Sequence, residues 1–196
     1  MDFIIHKSLK LVESGLIPDQ AIRAAIRALS KKRLIQEGRY DPEQAAQRYM
    51  DVLNLLKNSE IAVATDKANE QHYELPTEFF QAVLGKRLKY SACYFPSEQT
   101  TLDEAEENAL HIYAERAQLK DGQHILELGC GWGSLTLWMA EHYPNAKITA
   151  VSNSATQRQH IMSQAHARGL TNLNVMTCDV NVLELEPASF DRVVSV

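Results

Sequence analysis

Long apolar runs are missing from this sequence, and no stretch approaches the roughly 20 residues that a helix needs to cross a bilayer. Its first residues show no basic region followed by an apolar core, the pattern of a secretory signal. Cysteine is scarce: Cys93, Cys130 and Cys178 lie far apart with no Cys-x-x-Cys, which indicates neither a disulfide framework nor a cysteine zinc site. Seven histidines are scattered without metal-ligand spacing, so no metal is expected. There is no internal repeat and no low-complexity tract. A reduced, cytoplasmic setting and no integral membrane association are expected.

What is present is a chain of 196 residues, 45% hydrophobic, with a net charge of -5, the balance of a globular protein able to bury a core. The charge is uneven. Residues 1–40 carry eight Lys/Arg against four acids, whereas the rest carries 12 basic and 21 acidic groups. Such an arm can meet an anionic surface. However, the cluster Lys31–Arg33 has no interleaved aromatics for stacking bases, so no nucleic acid is expected and the cluster reads as a solvated helix face.

Residues 1–70 read as a helical leader. One helix follows Pro18 and Asp19 with Ile22, Ile26 and Leu29 at helical steps and ends near Gly38. The next starts at Asp41-Pro42-Glu43-Gln44, a cap in which Gln44 is expected to reach back as a capping box, and ends near Asn58. Residues 71–120 hold an aromatic stretch, a candidate lid, and a helix opened by the capping box Thr101 to Glu104. At least half of Phe79, Phe80, Tyr94 and Phe95 are expected in the core.

Residues 121–196 alternate strand and helix. A strand ending near Leu128 is followed by a helix over Ser134–His142, a strand over Lys147–Val151, a helix from Ala155 to about Arg168, a strand over Leu173–Cys178 and a last strand from Arg192 to Val196. That order predicts a doubly wound, Rossmann-like α/β sheet with ligands at the carboxyl ends of the strands. A sheet stopping at its fourth strand leaves an edge unpaired. A fragment of a longer protein, or a truncated chain stabilised by a partner such as a homo-oligomer, is therefore expected.

The segment Ile125–Gly133 reads Ile-Leu-Glu-Leu-Gly-Cys-Gly-Trp-Gly. A buried strand turning through alternate glycines into a helix lets a ligand lie against the backbone. The spacing Glu-x-Gly-x-Gly-x-Gly is not the Gly-x-Gly-x-x-Gly of dinucleotide binders, and Ser152-Asn153 stands where those proteins place a ribose-gripping acid. Glu127 suits a ligand with a positive amino group. S-adenosylmethionine has that group, a carboxylate and no phosphate, so the pattern favours it over NAD. Laid across the strand ends, it would meet Glu127, Gly129, Cys130 and Gly131 first, then Ser152, Asn153 and Gln157, and finally Asp179 and Val180.

Three stretches in order, Lys-Tyr-Ser-Ala-Cys-Tyr-Phe (89–95), Thr-Thr-Leu-Asp-Glu-Ala-Glu (100–106) and the glycine turn, resemble the S-adenosylmethionine-dependent methyltransferases of the cyclopropane fatty acid synthase family, in its coclaurine N-methyltransferase type. The resemblance covers roughly residues 20–196 and implies a class I methyltransferase fold. It places Tyr90 and Ser91 over the methionine end of the cofactor, and the strand-end residues along the rest. It also implies a catalytic carboxylate and histidine past the fourth strand, so no catalytic residue is assigned. The lipid-modifying members have Tyr-Ser-Cys where this chain has Tyr90-Ser91-Ala92, which weakens a lipid reading. The favoured function is methylation of a small amine. The alternatives are methyl transfer to unsaturated acyl chains of lipids and a non-catalytic S-adenosylmethionine-binding module, with an NAD oxidoreductase last.

Overall fold

Short apolar runs separated by helices pair as parallel strands, because each helical crossover brings the chain back to run in the same direction. The computed structural model describes residues 11–15, 17–63 and 76–196. Its strands are β1 (His124–Leu128), β2 (Lys147–Ser152), β3 (Leu173–Thr177) and β4 (Arg192–Val194). They form one parallel sheet in the order β3-β2-β1-β4. Leu128 lies opposite Val151 and Ser152 opposite Thr177, so β1, β2 and β3 end within one residue of each other. The doubly wound α/β expectation holds. β3 and β4 stop one and two residues short of the expected ends, within the usual uncertainty of element termini.

The helices among the described residues are α1 (Asp19–Gln36), α2 (Pro42–Asn58), α3 (Thr77–Val83), α4 (Leu102–Arg116), α5 (Ser134–His142) and α6 (Ala155–Ala167). The chain forms two compact units, Met1–Ser59 and Glu60–Val196. The expected boundary at residue 70 falls outside the described residues. In the first unit, Asp41 Oδ1 accepts from the amides of Glu43 and Gln44 and so caps α2. The Gln44 half of the expected box is not made, since the Asp41 amide donates to the Gly38 carbonyl. Neither α1 nor α2 buries a residue.

In the second unit, α5 packs on β2, α6 on β2 and β3, and α4 on α5. Leu110, Ile125, Trp138, Met139 and Ile148 form one buried cluster; Cys130, Ala150, Ile161 and Val175 form another. Phe80 is buried against Trp132 and Leu88, whereas Phe79, Tyr94 and Phe95 are exposed. The expectation that half of these rings are core is therefore corrected: α3 has seven residues and turns one ring inward.

The loop before α4 hangs on two carboxylates. Fully buried Glu106 accepts from the amides of Gly85 and Lys89 on Oε1 and of Arg87 on Oε2, while Asp103 accepts from that of Lys86. Gly85 is required by this approach, because a Cβ there would stand 2.6 Å from Glu106 Oε2. Glu104 completes the expected capping box with Thr101. Removing a buried acceptor leaves its donors unpaired at ~1–3 kcal/mol each. Glu106→Ala is thus expected to lower unfolding free energy by about 3 kcal/mol or more in urea titrations, and Glu106→Gln by less; a change below ~0.5 kcal/mol would show that the loop is held otherwise.

Candidate cofactor site

The turn after β1 is set by one acceptor. The amides of Gly129 and Cys130 both donate to the Val151 carbonyl of β2, at 2.9 and 3.0 Å. This forces Gly129 to φ +74°, a conformation that costs glycine little. A Cβ built on Gly129 meets nothing within 4 Å and would project into open space.

A cavity of about 320 Å³ opens at these strand ends. Leu128 and Gly129 line it after β1, Val151 to Asn153 after β2, Cys178 to Val180 after β3 and Ser195 after β4. Ile61 and Ala62 form a further wall. Asn181 holds that wall: its Nδ2 donates to the Ala62 carbonyl at 2.8 Å and its Oδ1 accepts from the Ala62 amide at 3.0 Å. Asp179 in turn accepts from the Asn181 amide and is, among the described residues, the one charged side chain lining the cavity. Among the described residues, no Lys, Arg or His lines it. By contrast, a second cavity of about 240 Å³ is bordered by Lys86, Arg87, His160 and Arg168. Its arginines are already paired, Arg87 with Glu107 and Glu141 and Arg168 with Glu141.

Of the expected site residues, Gly129, Ser152, Asn153, Asp179 and Val180 meet in the strand-end cavity. Gln157 is buried behind it, accepting on Oε1 from Ser152 Oγ at 2.6 Å, with Nε2 buried and unpartnered. It therefore orients Ser152. Cys130 does not line the cavity: its amide is held by the Val151 carbonyl and its side chain lies in the core, where burial above all and then Glu127 push the thiol up to about 12. Gly131 follows at φ +53° with open space beyond. Tyr90 and Ser91 do not line this cavity. Tyr90 stands edge-on to Phe80, and Ser91 Oγ accepts from the buried Lys89 Nζ at 2.6 Å.

Glu127 is buried beside Leu128, and its carboxylate is met by the Thr136 hydroxyl of α5. Burial pushes its pKa up to about 7, with Thr136 opposing. Sequence reading missed Ile61, Ala62 and Asn181, which carry no motif and meet across 119 residues. It also missed a spacing: Glu107 and His111 stand four residues apart on α4 and meet His142 of α5. The expectation that no histidine has metal-ligand spacing is corrected accordingly.

Residues 62–196 match the family described as mycolic acid cyclopropane synthetase. The chain is 38% identical over 98% of its length to (S)-coclaurine N-methyltransferase of Thalictrum flavum subsp. glaucum, of which it matches 53%. The crystal structure of coclaurine N-methyltransferase bound to N-methylheliamine and SAH superposes with a TM-score of 0.85 at 39% identity, over 98% of this chain and 55% of that one. A more distant relative is the cyclopropane-fatty-acyl-phospholipid synthase of Escherichia coli (strain K12), 33% identical over 65% of this chain and 31% of that enzyme. The chain thus spans about half the length of the N-methyltransferases it matches.

Glu127 makes stability depend on pH. Between its unfolded pKa near 4.5 and its folded value of about 7, the folded protein holds a proton that the unfolded chain has lost, so stability falls as pH rises through this window. Glu127→Gln keeps the shape without the charge. Urea unfolding of the ligand-free protein is expected to find this variant more stable than the parent at pH 8, by up to about 3 kcal/mol, with the fall between pH 4.5 and 7 flattened; an unchanged pH profile would contradict the burial argument.

Proposed function

The chain belongs to the mycolic acid cyclopropane synthetase family, and on that footing we propose that it binds S-adenosylmethionine at the ends of β1, β2 and β3 and serves an enzyme that methylates the amine of a small, aromatic molecule. The fold is that of the S-adenosylmethionine-dependent methyltransferases. The observation that carries the assignment is the cavity's lining among the described residues: backbone at Gly129, hydroxyl and amide groups at Ser152 and Asn153, one carboxylate at Asp179 and no cation. A pyrophosphate would find no basic partner there among the described residues. A cationic nucleoside without phosphate meets complementary groups throughout.

Each residue then has a task. Asp179 accepts from the adenine amino group beside Val180, while Ser152, oriented by Gln157, and Asn153 face the ribose hydroxyls. Gly129 and Gly131 admit the methionine end against the backbone, with Cys130 between them. No side chain caps α5 at Gly133, so first-turn amides are left to meet the ligand's carboxylate. Glu127 supplies the counter-charge to its amino group, which would return this carboxyl to its ionised form. Tyr90 and Ser91, which stand outside this cavity, lie on the loop that Glu106 and Lys89 anchor and are given no contact with the ligand.

The bound sulfonium supplies a methyl group already activated for transfer. The protein's part is to orient an unprotonated acceptor nitrogen in line with it and exclude water. No catalytic base is assigned among the described residues. A small amine is favoured over a lipid alkene because the N-methyltransferase likeness spans nearly the whole chain, whereas the cyclopropane synthase likeness covers 65% of it. No helix among the described residues is long and apolar enough to cross a membrane, and a cytoplasmic setting is proposed.

Calorimetry on this chain with S-adenosylmethionine, S-adenosylhomocysteine and NAD tests the reading. The first two are expected to bind and NAD not to. Gly129→Val, with its circular dichroism spectrum unchanged, is expected to weaken binding at least about tenfold, since its side chain would occupy the ligand's path. Binding of NAD alone would overturn the assignment. Methyl transfer to phospholipid vesicles but to no amine would replace the acceptor class.

A further inference from the structure

Away from the strand ends, α4 and α5 bring together three side chains that can ligate a metal. Glu107 and His111 stand one turn apart on α4, and His142 is the last residue of α5. Their ligand atoms all lie within 4.8 Å of one another. Glu107 Oε1 is 3.6 Å from His111 Nε2 and 3.9 Å from His142 Nε2. We propose that Glu107, His111 and His142 form a binding site for a divalent transition-metal ion of borderline softness, Zn²⁺ foremost, which clips α4 to α5.

The spacing suits such an ion. Metal–ligand bonds of about 2.0–2.2 Å in tetrahedral geometry hold neighbouring donor atoms about 3.4 Å apart. The pairs at 3.6 and 3.9 Å thus need to close by a few tenths of an ångström, and the two imidazole nitrogens, which lie within 4.8 Å of each other, by up to about 1.4 Å, which rotation of the two exposed histidine side chains supplies. Two imidazoles and one carboxylate favour Zn²⁺ over Mg²⁺ or Ca²⁺, which prefer oxygen alone, and leave a fourth position for water.

Neighbouring groups pre-set each ligand. His142 Nδ1 lies 2.8 Å from the Trp138 carbonyl. A carbonyl only accepts, so Nδ1 carries a hydrogen and Nε2 is the atom turned to Glu107. This is the outer-shell arrangement that orients metal-binding histidines. The His142 ring stacks on Trp138 with centroids 4.0 Å apart, and His111 stands edge-on to the same indole at 5.0 Å. Glu107 is fixed as well: Arg87 Nε holds Oε2 at 2.9 Å, and Trp138 Nε1 donates to Oε1, which keeps a lone pair towards the imidazoles. Arg87 is balanced by Glu141, which accepts from its Nη1. Both histidines are exposed, so an ion reaches the site without the fold opening.

The test is a calorimetric and thermal-unfolding titration of metal-stripped protein with ZnCl₂. One ion per chain and a raised unfolding temperature are expected. His111→Gln and His142→Gln should each weaken binding at least about tenfold and remove the thermal shift, whereas Cys93→Ser and Cys178→Ser should retain both. Co²⁺ added to the unaltered protein provides a readout that needs no variant. Visible d–d bands without a thiolate charge-transfer band support the site. No Zn²⁺ binding, binding that survives both histidine substitutions, or a thiolate band from Co²⁺ would each overturn it.

Discussion

Two consecutive amides, those of Gly129 and Cys130, share a single acceptor, the Val151 carbonyl. This ties the end of β1 to the end of β2 and turns the chain away from the sheet at Gly129, which carries no side chain. A Cβ at Gly129 would point into the strand-end cavity, so the bare backbone is part of that cavity's floor. α5 can then start immediately, with Gly133 as its N-cap and Thr136 placed to reach back to Glu127. The level ends of β1, β2 and β3 supply the remaining groups from three separate segments of the chain.

Two buried glutamates show how surroundings divide structural from functional roles. Glu106 is surrounded by donors: three loop amides satisfy its two oxygens and hold the 85–89 loop against α4. Glu127 is equally buried but, among the described residues, receives a hydroxyl from Thr136 and no cation. Burial pushes such a carboxyl towards its neutral form, and a positive group placed beside it would favour the charged one. The first is an anchor complete in itself. On the proposal above, the second would be completed by the amino group of the ligand.

Much of the fold was legible because local chemistry and tertiary structure agree. The apolar runs Ile125–Leu128 and Lys147–Val151 became the expected strands, and the glycine turn marked both the bend and the cavity floor. Ser152, Asn153, Asp179 and Val180 were legible because a parallel sheet gathers its strand ends on one side. What stayed hidden depends on partners distant in sequence. Nothing local distinguishes Asn181, which clasps Ala62, or Glu106, which looks like one more acid on a charged helix. Phe79 and Phe80 are equally apolar, and only the packing of α3 decides which is buried. Glu107 and His111 carried a readable spacing, but their third member comes from another helix.

The central claim is that a phosphate-free adenosyl ligand lies across the ends of β1, β2 and β3. A crystal structure of the protein with S-adenosylhomocysteine tests it most directly. The account predicts the amino acid end against Gly129 and Gly131, the ribose by Ser152 and Asn153, and the adenine beside Asp179 under the wall that Asn181 holds. Density for the ligand in the basic cavity by Trp132, or a strand-end cavity that stays empty at saturating ligand, would contradict it.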